Sequence, residues 1–462
     1  MKVPLLAVSC LALACLARAA DIPDAAEEKA IYDLLAKSGV PSASVAVVED
    51  GRLAYARAFG NASIAPARAA DPSTRYFIGS VSKQFTAAAI LLAAEDGRLS
   101  LDDRVSKYYP GLTRASDITV RQLLSHTSGY EDFGAEDYLV PAWEVATTPD
   151  AVIQAWAGKP LDFEPGTRWQ YSNTNFVLAA RILEKATGEA LGAYLKRRIF
   201  DPLGMKSAGD GYADRNATDA VPYTRFALGP PRPAATEGIG WYYGAAQLAM
   251  TPSDLALWDI AVLRHRILSS DSYREFTQEV LLKNGDHTGY ALGIGVGEMD
   301  RIPRLSHSGE VSGFLTSNAV FPTRGTAVIV CTNEDSVFVF GTIASQLAHW
   351  LLEPERRIAG EATRAEVDQV RAVLDGLRRG TVDRPLFTSN MNSYFSGVAI
   401  GDIQASLKDL GAVRSIVRKS ESLRGGMTFR SYAVQLEKGS VEVTVYLTAA
   451  GLYEQFLIAQ DI

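Results

Sequence analysis

The sequence predicts an α/β fold of the α+β kind, in which helices flank an antiparallel sheet, an all-helical subdomain is inserted, and a small α+β domain follows. Three observations predict it. Strand patterns occur near the start and again at 290–332, a long helical region separates them, and the pattern begins afresh near residue 355. The 462 residues also exceed one typical domain. We therefore expect a first domain at 21–355 and an accessory α+β domain at 356–462.

The first twenty residues have the pattern of an export signal. Lys2 supplies a positive charge, Leu5 to Leu16 form an apolar stretch, and Ala17-Arg18-Ala19 is a small-x-small cleavage site. The apolar stretch is too short to span a membrane comfortably. We predict a signal peptide at 1–20 and a periplasmic or secreted protein, with lipoprotein anchoring at Cys15 as the alternative.

Composition argues against several function classes. The chain is 47% hydrophobic and 21% charged, which is typical of globular proteins. Its formal charge of −7 and the lack of a long basic run disfavour nucleic-acid binding, and no later stretch has the length of a membrane helix. No His/Cys/Asp cluster has metal-ligand spacing, so we predict neither a metal nor a cofactor. Once the leader is removed, Cys331 is the only cysteine, which precludes an internal disulfide.

The early part of the first domain predicts a helix, a β-hairpin and a buried helix. The hairpin turns at Glu49-Asp50-Gly51, and the buried helix ends near Gly97. Thr119 is suited to cap a later short helix. These elements are predicted at 27–38, 42–48, 52–59, 77–97 and 119–124.

The region from about 130 to 285 predicts helices and loops. One helix runs from 174 to 187 and closes at Gly188, and another begins at Thr251-Pro252. The loop at 208–240 is rich in Gly, Pro and polar residues, so we expect it on the surface beside a cleft. Four strands, at 290–296, 304–308, 315–321 and 326–332, should join the early hairpin in one antiparallel sheet that a helix at 342–352 covers.

The C-terminal part predicts helices at 361–379 and 399–410, then three strands at 427–435, 440–447 and 452–459. Lys438-Gly439 is the predicted hairpin turn. This part contains no histidine or cysteine, which favours an accessory or packing role. In the first domain, Gly293-x-Gly295-x-Gly297 is not followed by a helix, so we interpret it as strand flexibility rather than a nucleotide loop.

Ser80 and Lys83 stand at the start of the predicted buried helix. Residues three apart share a helix face, so the Lys83 amine can approach the Ser80 hydroxyl. A lysine whose pKa is lowered by burial is able to take the serine proton during attack on a carbonyl. The N–H of Ser80, at the positive end of the helix dipole, is a candidate oxyanion donor. The alternative is an ordinary solvated Ser/Lys pair.

Two later segments form, together with Ser80 and Lys83, a set of three motifs in a fixed order along the chain. Ser80-x-x-Lys83, Tyr171-Ser172-Asn173 and His307-x-Gly309 resemble the motifs of serine β-lactamases and penicillin-binding proteins. Over about residues 30–352 the chain looks most like the branch with class C β-lactamases, D-alanyl-D-alanine carboxypeptidases and esterases. The resemblance implies a serine hydrolase of peptidase family S12 type, acting through an acyl-enzyme on an ester, amide or D-amino-acid peptide.

The residues have roles that fit this chemistry. Tyr171 is a candidate proton relay, provided that Lys83 lowers its pKa, and Asn173 is suited to fix Lys83 and a substrate amide. The N–H of Glu310 is the candidate second oxyanion donor beside that of Ser80.

Two further residues stand near Glu310 along the chain. Gly309 leaves room for the second oxyanion donor. His307 would act as a partly charged donor that holds a substrate carboxylate. Because histidine titrates near neutrality, we expect that anion capture to weaken above pH about 7.

Some assignments stay open at this level. His126, in Leu123-Leu124-Ser125-His126-Thr127-Ser128-Gly129, is assigned to structure rather than catalysis. The expected partner is a small-molecule or peptide substrate, including a cell-wall peptide. The alternative function is a catalytically silent penicillin-binding, cell-wall-binding or scaffold protein of the same fold. The preferred substrate and the oligomeric state do not follow from the sequence.

Overall fold

The computed structural model describes residues 23, 25–136, 138–226, 229–352, 364–424 and 427–460. The chain divides into two compact units, Met1–Ala348 and His349–Ile462. Each unit has its own cluster of buried apolar side chains. The predicted signal peptide and the predicted domain boundary at 355/356 both lie outside the described residues.

Helices and a large sheet build the first unit. In its described part, helices α1–α10 cover Ala25–Ser38, Ser82–Glu95, Val120–Leu124, Pro149–Trp156, Asn173–Thr187, Leu191–Leu195, Asp201–Leu203, Pro252–Leu263, Ser270–Thr277 and Val339–Leu352. Strands β1–β12 cover Ser42–Glu49, Arg52–Ile64, Ala67–Ala69, Tyr76–Phe77, Gly209–Asp210, Tyr223–Thr224, Arg232–Pro233, Leu248–Met250, Gly295–Met299, Ile302–Val311, Phe314–Phe321 and Thr326–Thr332.

Seven of these strands form one antiparallel sheet in the order β3-β2-β1-β12-β11-β10-β9. The early hairpin thus lies beside the late strands, which confirms the predicted sheet. β12 is buried along its whole length, as expected for a strand covered on both faces. Helix α8 packs against β1 and β12. The sheet therefore joins both ends of the first unit, with buried apolar residues along the whole of its central strand β12.

The predicted helix ends are confirmed by their caps. The Thr119 side chain and Gln122 form a reciprocal capping box at the start of α3. Thr251 accepts from the Asp254 N–H at the start of α8, and Pro252 occupies the first turn. α5 ends at Gly188, whose φ of 76° is a left-handed conformation that favours glycine.

The predicted strand at 290–296 is wrong. β9 begins only at Gly295, because the chain turns sharply at Gly293, where φ is 76°. A Cβ at Gly293 would lie 2.7 Å from the carbonyl oxygen of Lys83. Gly293 therefore packs directly against α2, and only Gly295 and Gly297 of the glycine triplet belong to the strand.

The second unit is a small α+β structure. Its described part has helices at Arg364–Arg378, Ser389–Tyr394 and Gly397–Leu410. Four antiparallel strands, Val413–Arg424, Met427–Leu436, Gly439–Leu447 and Tyr453–Gln460, pair in chain order. The sequence analysis missed the first of them, because charged residues interrupt its alternation. Leu436 pairs with Gly439, so Glu437 and Lys438 form the hairpin turn. No helix in the described parts of the chain is long and apolar enough to cross a membrane.

Candidate active site

Ser80 and Lys83 lie side by side at the start of α2. Ser80 belongs to a one-turn 3-10 helix, Gly79–Val81, that leads directly into α2. The Lys83 Nζ is 3.0 Å from the Ser80 Oγ, 2.7 Å from the Asn173 Oδ1 and 3.1 Å from the Ala245 carbonyl oxygen. The structure therefore brings the serine of the first motif and the asparagine of the second within hydrogen-bond distance of the Lys83 amine.

Lys83 is completely buried, at 0% exposure. Burial disfavours its charged form and lowers the pKa of the amine to about 7, while the nearby charge of Asp132 acts in the opposite direction. Near neutral pH a large fraction of the amine is therefore unprotonated. An unprotonated amine 3.0 Å from a hydroxyl is placed to accept its proton.

This pKa predicts the pH dependence of catalysis. Lys83 acts as a base only when neutral, so kcat/KM should rise about tenfold per pH unit below its pKa and level off above it. The turning point is expected near pH about 7. Initial rates on an uncharged ester between pH 5 and 9 measure the profile. A rate that is flat across this range, or that falls above pH 7, would contradict the role of Lys83.

Tyr171 lies beside Lys83, with the lysine Nζ 4.7 Å from its ring centroid. Its hydroxyl is buried and has no hydrogen bond of ordinary geometry with the described residues. Burial raises the pKa of the phenol, and the lowering by the Ser80 side chain is smaller. The expectation that Lys83 lowers the Tyr171 pKa is therefore wrong, and Tyr171 is present as a neutral phenol.

His307 lines one cavity together with Ser80 and Tyr171, but it is uncharged. Its Nδ1–H donates to the Ser308 carbonyl, and the Tyr290 hydroxyl donates to its Nε2 at 2.8 Å. Burial, with the Lys83 charge, lowers the His307 pKa to about 4. The expectation of a partly charged donor that weakens above neutral pH is therefore wrong. The imidazole is already neutral from pH 6 to 9, and the Ser308 carbonyl, which can only accept, fixes its proton on Nδ1.

The backbone around Glu310 meets the Ser80 turn at very close range. β9 pairs with β10 only from Ile302 to Ser306, which leaves the following residues open to the turn. A Cβ at Gly309 would lie 1.9 Å from the Ile78 carbonyl oxygen, and one at Gly79 would lie 2.4 Å from the Glu310 N. Two glycines thus allow the N–H groups of Ser80 and Glu310 to border one space, as an oxyanion hole requires.

Asp132 is a site residue whose role the sequence analysis missed. Its carboxylate accepts from the backbone N–H groups of Asn173, at 2.8 Å, and Gly134, at 3.2 Å. It thereby caps the first residue of α5 from 41 positions away along the chain, and it orients the Asn173 side chain that contacts Lys83. Burial raises the Asp132 pKa. Because Asp132 is far from α5 along the chain, no sequence motif predicts this cap.

His126 lies behind Tyr171 and is completely buried. Its Nδ1 accepts from the Ser172 N–H at 3.1 Å, and its ring centroid is 4.3 Å from that of Tyr171. Burial lowers its pKa well below the ordinary value. This neutral imidazole packs against the Tyr171 ring and accepts from the next residue, in agreement with its assignment to structure.

The motif residues open onto a cavity of about 520 Å³. Ser80, Tyr171, Asn173, His307 and Glu310 all line it. Its other walls come from Glu237 in the predicted cleft-bordering loop, from the turn after β10, and from Asp132, Gly134–Glu136, Tyr138, Leu139 and Trp143. The described residues contain no group of three or more His, Cys, Asp or Glu side chains that could hold a metal.

Fold and site together define the class of protein. The Beta-lactamase family model matches residues 28–372, and the chain belongs to this family of serine hydrolases and penicillin-binding proteins. Penicillin-binding protein 4* of Bacillus subtilis (strain 168) is 28% identical over 324 residues, which cover 66% of this chain and 71% of that protein.

Solved structures show the same fold. A D-stereospecific amidohydrolase from Streptomyces sp. has 26% identity and a TM-score of 0.60, and the match covers 68% of this chain and 95% of that one. An octameric penicillin-binding protein homologue from Pyrococcus abyssi has 21% identity and a TM-score of 0.63, with 94% and 99% of the two chains covered. The latter likeness concerns the fold alone.

Proposed function

We propose that the protein is a serine hydrolase that forms an acyl-enzyme on Ser80. The contact between the buried Lys83 amine and the Ser80 hydroxyl, at 3.0 Å, carries the proposal. A nucleophile beside a base whose pKa burial lowers to about 7 is the arrangement that nucleophilic catalysis at neutral pH requires. A solvated Ser/Lys pair would have neither the burial nor the contacts to Asn173 and Ala245.

The first half of the reaction follows from these positions. The Ser80 Oγ bonds to the substrate carbonyl carbon as its proton passes to the Lys83 Nζ. The carbonyl oxygen becomes an oxyanion that the N–H groups of Ser80 and Glu310 stabilise. The bond to the leaving group then breaks, and the leaving group takes the proton from Lys83, directly or through the neutral Tyr171 hydroxyl. The product of this half is an ester of Ser80.

The second half returns the enzyme to its starting state. Neutral Lys83 accepts a proton from water while the water oxygen attacks the acyl carbonyl carbon. The same two N–H groups stabilise the second oxyanion. Ser80 then leaves with the proton from Lys83, and the acyl group departs as a carboxylic acid. One water molecule is consumed for each ester or amide bond cleaved.

The substrate class we propose is an ester or amide of a small acyl group, including D-amino-acid amides and peptides. The likeness to the Streptomyces amidohydrolase, which is D-stereospecific by its name, supports this class. The leader-like segment at 1–20 supports export to the periplasm or medium as a further part of the proposal.

Labelling with a fluorophosphonate probe tests the nucleophile. The wild-type chain is expected to bind the probe covalently, and Ser80→Ala to lose both the labelling and about 10³-fold or more of kcat. Ser116→Ala, at an exposed position outside the cavity, serves as the matched control. Peptide mass analysis should place the probe on Ser80. Absence of labelling and of turnover in a folded wild-type chain would overturn the proposal in favour of a catalytically silent binding protein.

A further inference from the structure

The lining of the active-site cavity is rich in acidic side chains. Five carboxylates line it: Asp132, Glu136, Glu237, Glu310 and Asp335. No lysine or arginine is among the lining residues that the structure describes. This imbalance is far larger than that of the whole chain, which has 46 basic and 53 acidic residues. The cavity is therefore a region of negative potential.

Two of these carboxylates, Glu237 and Asp335, are held by neutral groups. Glu237 is only 6% exposed, and it accepts from the Tyr212 hydroxyl and from the N–H and hydroxyl of Ser312, at 2.9 to 3.1 Å. Asp335 accepts from the Gly313 N–H at 2.7 Å. Neither forms an ion pair with another described residue. Both carboxylates are thus held by neutral hydrogen-bond donors, and both residues line the cavity.

These two carboxylates hold the turn that follows the candidate oxyanion donor. Ser312 and Gly313 follow Glu310 by two and three residues, in the turn after β10, and two to three residues span at most roughly 7 to 11 Å. The Glu237 and Asp335 carboxylates therefore bind the chain within three residues of the Glu310 N–H. A charged group near the scissile carbonyl of a bound substrate therefore interacts electrostatically with the Glu237 and Asp335 carboxylates.

Aromatic rings complete the same walls. Tyr138, Trp143, Tyr171 and Tyr242 line the cavity beside the carboxylates. The faces of such rings attract ammonium groups and repel anions. His307, the residue predicted to hold a substrate carboxylate, has both ring nitrogens committed to Ser308 and Tyr290. Among the described lining residues, a carboxylate-bearing substrate thus finds no cationic partner, whereas an amine finds several anionic and aromatic ones.

We propose that the site selects substrates with a positively charged amine close to the scissile bond, such as amino-acid amides and esters with a free α-amino group, and discriminates against those with a free carboxylate. This inference rests on the proposed function for the identity of the site. It adds that Glu237 and Asp335 are specificity-determining residues, which act on the substrate charge and take no part in proton transfer at Ser80.

Binding to Ser80→Ala tests the inference independently of turnover. Calorimetry compares D-alanine amide with N-acetyl- and N-succinyl-D-alanine amide, which share one core and carry positive, zero and negative charge. We expect the free-amine ligand to bind at least about tenfold more tightly than the succinyl ligand. Added salt should lower the ratio of these two affinities, because salt screens charge interactions but does not change shape complementarity.

Variants that each remove one carboxylate charge test whether Glu237 and Asp335 cause the preference for the amine. Glu237→Gln keeps hydrogen-bond partners for Ser312 and Tyr212, and it should reduce the preference for the amine at least threefold. Glu298→Gln removes the same charge from an exposed position on β9, outside the cavity wall, and should leave the preference unchanged. Should Glu237→Gln misfold, Asp335→Asn provides the same test.

The outcomes separate the two proposals. Equal binding of the three ligands, or tighter binding of the succinyl ligand, overturns the inference even if Ser80 is an active nucleophile. A preference for the amine without any fluorophosphonate labelling of the wild-type chain supports the inference and overturns the hydrolase. Equal reduction of the preference by Glu298→Gln would show that overall charge, rather than the cavity wall, is responsible.

Discussion

Lys83→Met is expected to lower kcat by about 10³-fold or more while the chain stays folded. Methionine has a similar length and is apolar, so it suits a position that is completely buried. The variant lacks the amine that takes the Ser80 proton and returns it to the leaving group. Its residual rate should also lose the rise with pH near 7 that the wild-type lysine produces. Steady-state kinetics between pH 5 and 9 and circular dichroism measure both effects.

Lys206→Met is the matched control, since it makes the same substitution at an exposed position. It should keep the wild-type rate and pH profile. A folded Lys83→Met protein that retains more than about one tenth of kcat would refute the general-base role. A retained pH limb near 7 in that variant would assign the titration to another group.

Gly309→Ala should reduce kcat by about 10²- to 10³-fold, the effect of losing one oxyanion donor. The φ of Gly309 is not in the left-handed region, so alanine is not strained by backbone conformation. The conflict is with the Ile78 carbonyl oxygen, 1.9 Å from the new Cβ. The new Cβ is fixed to the β10 backbone and its neighbour is a backbone carbonyl, so neither can rotate away. β10 must therefore move away from the Ser80 turn, which separates the N–H groups of Ser80 and Glu310.

The control for this steric argument is Gly297→Ala on β9, where a Cβ would meet nothing within 4 Å. Its activity should equal that of the wild type. Fluorophosphonate labelling of Gly309→Ala reports whether Ser80 remains nucleophilic. If Gly309→Ala is folded and hydrolyses esters at the wild-type rate, the N–H of Glu310 is not an oxyanion donor.

Local patterns were sufficient to predict most of the fold. The hairpin before Ser80, the caps at Thr119 and Thr251, and the apolar strands before Asn333 all depend on residues close in sequence. The wrong strand at 290–296 has a different origin. Its apolar residues, Ala291, Leu292 and Ile294, are buried in the core but precede the sheet strand. The close packing of Gly293 against Lys83 in α2 accounts for the turn there.

The members of the site were predictable from motif order, but their protonation was not. Lys83 belongs to the apolar helix that the sequence predicts, and burial there lowers its pKa. Tyr171 and His307 are surrounded by side chains from segments far apart along the chain, including His126 and Tyr290. Their pKa shifts therefore depend on tertiary packing. The Asp132 cap on α5 is hidden from sequence reasoning for the same reason.

The glycines at positions 79, 293 and 309 have a practical consequence for altering the substrate range. At each of these glycines two backbone segments pack in direct contact around the first turn of α2. No volume is left there for a larger side chain. The described wall residues Ala135, Glu136, Tyr138 and Leu139 include no glycine in such a contact, whereas Gly238, next to Glu237, packs against the backbone of Val145 and Ala146. Libraries for directed evolution therefore belong at those four positions, where new side chains change which substrates enter, and should leave the Ser80 turn unchanged, because substitutions there would abolish catalysis.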